Sequence, residues 1–297
     1  MKIGIIGAGK WGQALQYALS QNPDNEVYIT SRTQKNIPHF VSVEEILSLE
    51  YLVFAISAQN ARSWLEKNFV FTNQKILVAS KGIEVRSGKF LNELFEEFLP
   101  TENVAFISGP SFAAEVIKGL PCALVINAND KKLAKKYASF FPSFIKAYTS
   151  KDVTGAEVSG AYKNVIAIAS GICAGLGLGN NARASLISRG LVEMMRFGKH
   201  FGAKKDTFLG LGGAGDLFLT ASSELSRNYR VGLALAEGKS LDVILEELGE
   251  VAEGVPTSEA IVKIAKEEGI YTPIAVEVNA IIRGKNPKES LKDLLTN

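Results

Sequence analysis

The stretch "KIGIIGAGKWGQALQYAL", residues 2–19, decides how the first half of the chain is read. An apolar run of strand type ends at Gly7, a helical spacing of apolar residues begins after Gly9, and Gly7, Gly9 and Gly12 stand in GxGxxG order. GxGxxG alone is weak evidence, because glycine punctuates many loops. Placed directly after a strand and at the opening of a helix, each glycine has a task. Gly7 permits the tight turn, Gly9 lets the backbone approach a pyrophosphate, and Gly12 lets the helix close on the strand. The phosphates would meet free amides at the helix start. The unit therefore predicts dinucleotide binding.

Further apolar runs follow at 26–30, 51–57, 75–80, 103–108 and 122–127, with a weaker one at 145–150. Segments of helical spacing lie between them at 11–20, 59–67, 88–98, 111–118 and 130–140. Near-continuous apolar strands alternating with helices suit a mainly parallel sheet covered on both faces. After about residue 150 the strand pattern stops. Helical periodicity then runs through 153–176, 180–200, 228–237, 241–248, 257–268 and 273–283, with glycine-rich breaks. The expected architecture is α/β: a Rossmann-type, doubly wound dinucleotide-binding domain over 1–150, then an all-helical substrate and catalytic domain over 151–297.

Composition narrows the function. With 33 basic against 31 acidic residues the net charge is +2, so nothing argues for general attraction to nucleic acid or to a membrane surface. The longest weakly polar run, near 165–178, falls short of the roughly 20 apolar residues of a spanning helix. Cys122 and Cys173 sit far apart in apolar contexts, which makes neither a disulfide framework nor a metal site and fits a reducing, cytoplasmic setting. The start of the chain lacks a signal peptide's apolar stretch. His39 and His200 are the only histidines, and neither has a partner that suggests a triad or metal cluster. A lysine is the better candidate for proton transfer.

Substrate is expected in the cleft between the two domains, from groups at strand ends and at the start of the second domain. Ser31 and Arg32 follow the second strand where an NAD site usually carries an acidic residue, so NADPH is expected to be preferred, with NADH also usable. Lys81 follows a buried strand, and "SGPSF" at 108–112 turns at Gly109 with Ser111 placed to cap a helix. Asp216 follows a glycine-rich loop. Ser226 as a cap, exposed amides and the Arg227 fork make a phosphate receptor at "SRN", 226–228. In "SGAYKNVIAI", 159–168, Lys163 is either a snorkelling lysine or one held where burial and neighbouring charge tune its proton.

The ordered set "GAGKWGQAL", "SKGIE", "SGPSFAAEV", "KNVIAIASGI", "GAGDL" and "LSRNYRVG" spans most of the chain and resembles the bacterial NAD(P)-dependent glycerol-3-phosphate dehydrogenases. The resemblance implies reversible reduction of dihydroxyacetone phosphate to sn-glycerol 3-phosphate, supplying phospholipid synthesis in the cytoplasm. It implies that Lys163 exchanges the proton and that Lys81, Gly109, Ser111, Asp216, Ser226, Arg227 and Asn228 contact substrate. It gives Lys10, Trp11, Arg32, Lys81, Ala113, Arg227, Val251 and Glu253 to the cofactor. The segment between Arg32 and Val43 is shorter than usual in that family, "SKG" replaces "TKG" and "AYKN" replaces "ELKN"; the lysine of each motif, Lys81 and Lys163, is kept. Two rivals stand beside this reading: another reductase of the same two-domain design acting on a 3-hydroxy acid or ketopantoate, and a non-catalytic NADPH-sensing protein. By analogy of fold, a helical second domain can supply a homodimer interface.

Overall fold

A computed structural model describes residues 1–296. The first strand, β1 (Lys2–Ile6), runs through the glycine turn into α1 (Lys10–Ser20). The series continues with β2 (Glu26–Thr30), α2 (Val43–Leu47), β3 (Tyr51–Phe54), α3 (Ala58–Asn68), β4 (Lys75–Val78) and α4 (Leu91–Phe95), then β5 (Val104–Ser108), α5 (Ala113–Val116), β6 (Cys122–Asn127), α6 (Lys131–Ala138) and β7 (Ile145–Ser150). The seven strands form one sheet in the order β2-β1-β3-β4-β5-β6-β7, parallel except for the antiparallel pair β5 and β6.

Side-chain alternation along each strand covers the sheet on both faces. Ile3, Ile5, Val27, Val53 and Leu77 pack with Leu15 and Ala18 of α1 and Leu133 and Tyr137 of α6. Ile6, Leu52, Phe54, Ile76 and Val78 pack the opposite way, with Ala61 and Leu65 of α3 and Leu91 and Phe95 of α4. The sheet is therefore doubly wound. Its order reverses between β1, whose successor β2 lies to one side, and β3 on the other, and such a switch point opens a ligand crevice at the strand C-termini.

The helices after β7 are α7 (Val153–Gly175), α8 (Gly179–His200), α9 (Lys205–Leu209), a π-turn at Leu211–Gly215, α10 (Asp216–Ala221), α11 (Arg227–Ala236), α12 (Leu241–Leu248), α13 (Gly254–Glu267), α14 (Pro273–Ile282) and α15 (Pro287–Thr296). Tyr162, Val165 and Ile166 of α7 pack with Met194 and Phe197 of α8 and with Leu217, Val231, Ile261 and Val278. A Cβ on Gly171 would lie 2.1 Å from the Tyr229 carbonyl oxygen, and one on Gly232 would lie 2.1 Å from that of Ile168. Glycine at both positions lets α7 and α11 meet backbone to backbone. The buried Glu193 carboxylate takes the place of a local cap for α14, accepting from the Ile274 and Ala275 amides at 2.9 Å and from the Tyr162 hydroxyl at 2.8 Å.

Two compact units result: residues Met1–Lys81 with Leu91–Glu157, and Gly82–Phe90 with the chain from Val158 onward. In this division the later break lies inside α7, between Glu157 and Val158. Composition marks where strands stop, whereas the first turn of α7 keeps Val153 in the core of the sheet unit. The helix expected over 88–98 is confined to Leu91–Phe95, because Phe90 pairs with Ile83 in an antiparallel bridge and Gly88 turns at φ 73°. No described helix is long and apolar enough to cross a membrane.

Candidate functional site

In the sheet unit, the glycine turn shows why each glycine is needed. Gly7 adopts φ 110°, and a Cβ there would lie 2.7 Å from the Ala55 carbonyl oxygen; on Gly12 it would lie 1.8 Å from that of Gly7. Around a Cβ on Gly9 nothing lies within 4 Å, so the glycine expected to admit a ligand is the one facing open space. No side chain caps α1, whose N-cap is Gly9. An uncapped helix start beneath an open glycine fits a dinucleotide's pyrophosphate. The turn is pinned by the Gly7 amide donating to the Thr30 carbonyl at 2.9 Å and by Lys35 Nζ donating to that of Ala8 at 2.7 Å. Trp11 Nε1 donates to the Ala79 carbonyl at 3.0 Å. Lys10 opens α1 exposed, and exposed Arg32 stands just past the end of β2.

At the ends of β4 and β5, Lys81 is half-buried and Gly109 turns at φ 106°. Ser111 does not cap the next helix: its hydroxyl donates back to the Gly109 carbonyl at 3.2 Å, and the N-cap is Phe112. The short α5 begins two residues later than expected from "SGPSF", opening on Ala113.

Sequence reading passed over Glu157. Its carboxyl is buried; the amides of Leu91 and Asn92 donate to it, while Oε2 has no hydrogen-bond partner. Burial pushes its pKa up to about 8, against the opposing pull of those amides and of the Lys81 ammonium; Glu93 adds to the rise. Folded protein therefore binds a proton here that unfolded chain releases near pH 4.5. Stability should fall as pH rises from about 4.5 to 8, at about 1.4 kcal/mol per unit from this group, then level off. Glu157→Gln should flatten that limb, so that its gain in Tm over wild type is larger at pH 8.5 than at pH 5. Equal gains at the two values would rule the titration out.

In the helical unit, Lys163 is not a snorkelling residue. Its side chain is 8% exposed, and Nζ donates to Asp216 Oδ1 at 2.5 Å and to Thr220 Oγ1 at 2.9 Å. Asp216 is delivered by the π-turn, which ends as α10 begins. Thr220, one turn on, donates its own proton to the Asp216 carbonyl at 2.6 Å and so presents a lone pair to the ammonium. Only the i, i+4 spacing in "DLFLT" could have signalled it.

The residues expected to receive an anion stand at the start of α11. Ser226 caps the helix by accepting from the Tyr229 amide at 3.3 Å. The Arg227 side chain is 43% exposed, its Nη1 3.7 Å from Glu250, which also draws Arg230 Nη2 to 4.0 Å. Asn228 turns inward: its Oδ1 accepts the Gly254 amide at 2.9 Å. Val251 is exposed, and Glu253 precedes α13. The sequence candidates thus group as a glycine turn with Lys10, Trp11 and Arg32, strand ends with Lys81, Gly109, Ser111 and Ala113, the Lys163 and Asp216 pair, and the α11 start tied to the 251–254 segment. No group of His, Cys, Asp and Glu among the described residues could hold a metal.

The N-terminal family model for NAD-dependent glycerol-3-phosphate dehydrogenase matches residues 30–134, and the C-terminal one matches 152–292. A curated relative from Sulfurimonas denitrificans named glycerol-3-phosphate dehydrogenase (NAD(P)+) is 64% identical over 296 residues, covering 100% of this chain and 99% of its own. One from Nitratiruptor with the same name is 64% identical over 295 residues, covering 99% of this chain and 98% of its own. The crystal structure of glycerol-3-phosphate dehydrogenase from Coxiella burnetii superposes with a TM-score of 0.92 at 30% identity, over 100% of this chain and 99% of that one. Matched in both halves and along its whole length, the chain belongs to the NAD-dependent glycerol-3-phosphate dehydrogenase family.

Proposed function

We propose that this chain catalyses the reversible NAD(P)H-dependent reduction of dihydroxyacetone phosphate to sn-glycerol 3-phosphate, with Lys163 as the proton-exchanging residue. It is an NAD(P)-dependent oxidoreductase by family. The observation that carries the catalytic assignment is the buried Lys163 ammonium held by Asp216 and Thr220.

A nicotinamide dinucleotide bound here would supply hydride-transfer chemistry for C2 of the substrate, in either direction. The chain's own task is to hold charge and move a proton. In the reducing direction Lys163 Nζ gives its proton to the C2 oxygen, leaving a neutral amine that solvent recharges; in reverse the neutral amine accepts the proton. Asp216 favours the ammonium and fixes its direction. Ser226, Arg227 and the first amides of α11 receive the phosphate, joined by Asn228, while Lys81, Gly109 and Ser111 complete the substrate contacts. Gly7, Gly9, Lys10, Trp11, Gly12 and Ala113 hold the dinucleotide, with Lys81, Arg227, Val251 and Glu253 contributing. Arg32, where an acidic residue would repel a 2′-phosphate, makes NADPH the preferred partner. The setting is cytoplasmic, the product feeds glycerophospholipid synthesis, and the assembly is a homodimer.

The test is the loss of reduced-nicotinamide absorbance when purified protein meets dihydroxyacetone phosphate. We expect turnover that needs both substrates, with a higher kcat/KM for NADPH than for NADH. Turnover with ketopantoate instead would assign the phosphate-free rival, and nucleotide binding without turnover would make the chain a sensor. A higher kcat/KM for NADH would overturn the role given to Arg32.

A further inference from the structure

Gly254, Asn228 and the Asn164 carbonyl meet at one buried point, where Asn228 does more than make the substrate contact proposed for it. Gly254 at the start of α13 donates its amide to Asn228 Oδ1 at 2.9 Å, and a Cβ added to Gly254 would lie 2.7 Å from that oxygen, 2.8 Å from the Asn164 carbonyl oxygen and 2.9 Å from Ile168 Cδ1. Real Cβ atoms do not approach backbone oxygens so closely, and a carbonyl inside a 23-residue helix cannot yield. Gly254 does not have a positive φ, so glycine is needed there for space rather than conformation. Asn164 and Asn228 are both buried. Each member of the junction is the chain neighbour of a residue given a role above: Asn164 follows Lys163, Asn228 follows Arg227, and Gly254 follows Glu253.

We propose that Gly254 is a positioning residue, through which Asn164 and Asn228 hold the nucleotide-contacting segment Val251–Glu253, the Arg227 phosphate receptor and Lys163 in one register. The proposal rests on the roles assigned above. The chain neighbours of three functional residues meet at this one contact, so displacing the start of α13 displaces nucleotide contacts directly and the phosphate receptor through Asn228. Nucleotide affinity should then depend on a residue of the phosphate motif even when no substrate is present.

The experiment measures the Kd for NADPH in the absence of substrate, kcat, both KM values and Tm for Gly254→Ala, Asn228→Ala and the double variant. Gly254→Ala should weaken NADPH about tenfold or more and raise both KM values. A Kd and KM values within about twofold of wild type, with only Tm lowered, would make the glycine a packing residue and overturn the proposal. Should Gly254→Ala not fold, Asn228→Ala, which opens space instead of filling it, should still weaken NADPH about threefold or more; an unchanged Kd overturns the proposal too. In the double variant the loss should not exceed that of the weaker-binding single, whereas multiplied losses would mean two independent contacts. Lys163→Ala, in the same set, keeps NADPH affinity and loses kcat if the roles above hold. Normal turnover there defeats those roles, while the Kd values judge the junction separately.

Discussion

Lys163→Ala should lower kcat by about 10²- to 10⁴-fold while NADPH affinity stays within about twofold, because a positioned proton-transfer group is lost and the nucleotide contacts are not. The same change strips a buried carboxylate of its cation, and breaking such a pair costs about 3–5 kcal/mol of stability. Activity must therefore be read well below the variant's own Tm. Lys163→Arg separates the two effects. A guanidinium preserves the charge opposite Asp216 but does not release a proton near neutrality. It should fold and bind nucleotide yet remain nearly inactive. Near-normal turnover in the arginine variant would remove proton transfer from Lys163 and leave it an electrostatic anchor.

Arg227→Ala should raise KM for dihydroxyacetone phosphate by about 10- to 100-fold, the equivalent of one or two charge-assisted hydrogen bonds, with kcat within about threefold. Arg227 is available for this because its side chain is substantially exposed and its nearest carboxylate, Glu250, stands 3.7 Å away rather than in a tight fork. Glu250 retains Arg230 as a neighbour, so the variant should lose little stability. Raising salt should increase the wild-type KM more than that of the variant, since the missing interaction is the screened one. A KM unchanged by the substitution would move the phosphate to other residues.

The sheet was legible in the sequence because its central strands β3, β4 and β5 are buried on both faces and read as unbroken apolar runs; β7 at 145–150 is largely exposed, which is why its run is weak. Short elements were harder. Helix α2 has five residues and buries only Ile46, too little for a periodicity, although Ser42 and Glu45 form a reciprocal capping box that "SVEE" already spelled. At the site, Lys163 was visible as a charge inside an apolar helix, and Asp216 and Ser226 as residues following breaks in pattern. What stayed hidden was set by tertiary contact. The burial of Glu157 and the bond from Gly254 to Asn228 depend on which helices cross, of which local sequence carries no record, and for Thr220 it carries only the spacing from Asp216. Ser111 misled for a related reason: a serine before a helix reads as a cap, but its hydroxyl found the nearer Gly109 carbonyl.

The crossing of α7 and α11 at Gly171 and Gly232 has a consequence for how this site tolerates change. Because main chain touches main chain there, no side chain acts as the spacer between the helices. The core around them can exchange one apolar residue for another, or fluctuate in its rotamers, without altering the gap. What the crossing cannot absorb is a change in count. One residue inserted between Arg227 and Gly232 would swing the guanidinium about 100° around the helix axis and carry it about 1.5 Å along it, taking the proposed anion receptor out of aim. The dimension that matters is thus a number of residues rather than a volume, and length in this stretch is constrained more tightly than composition.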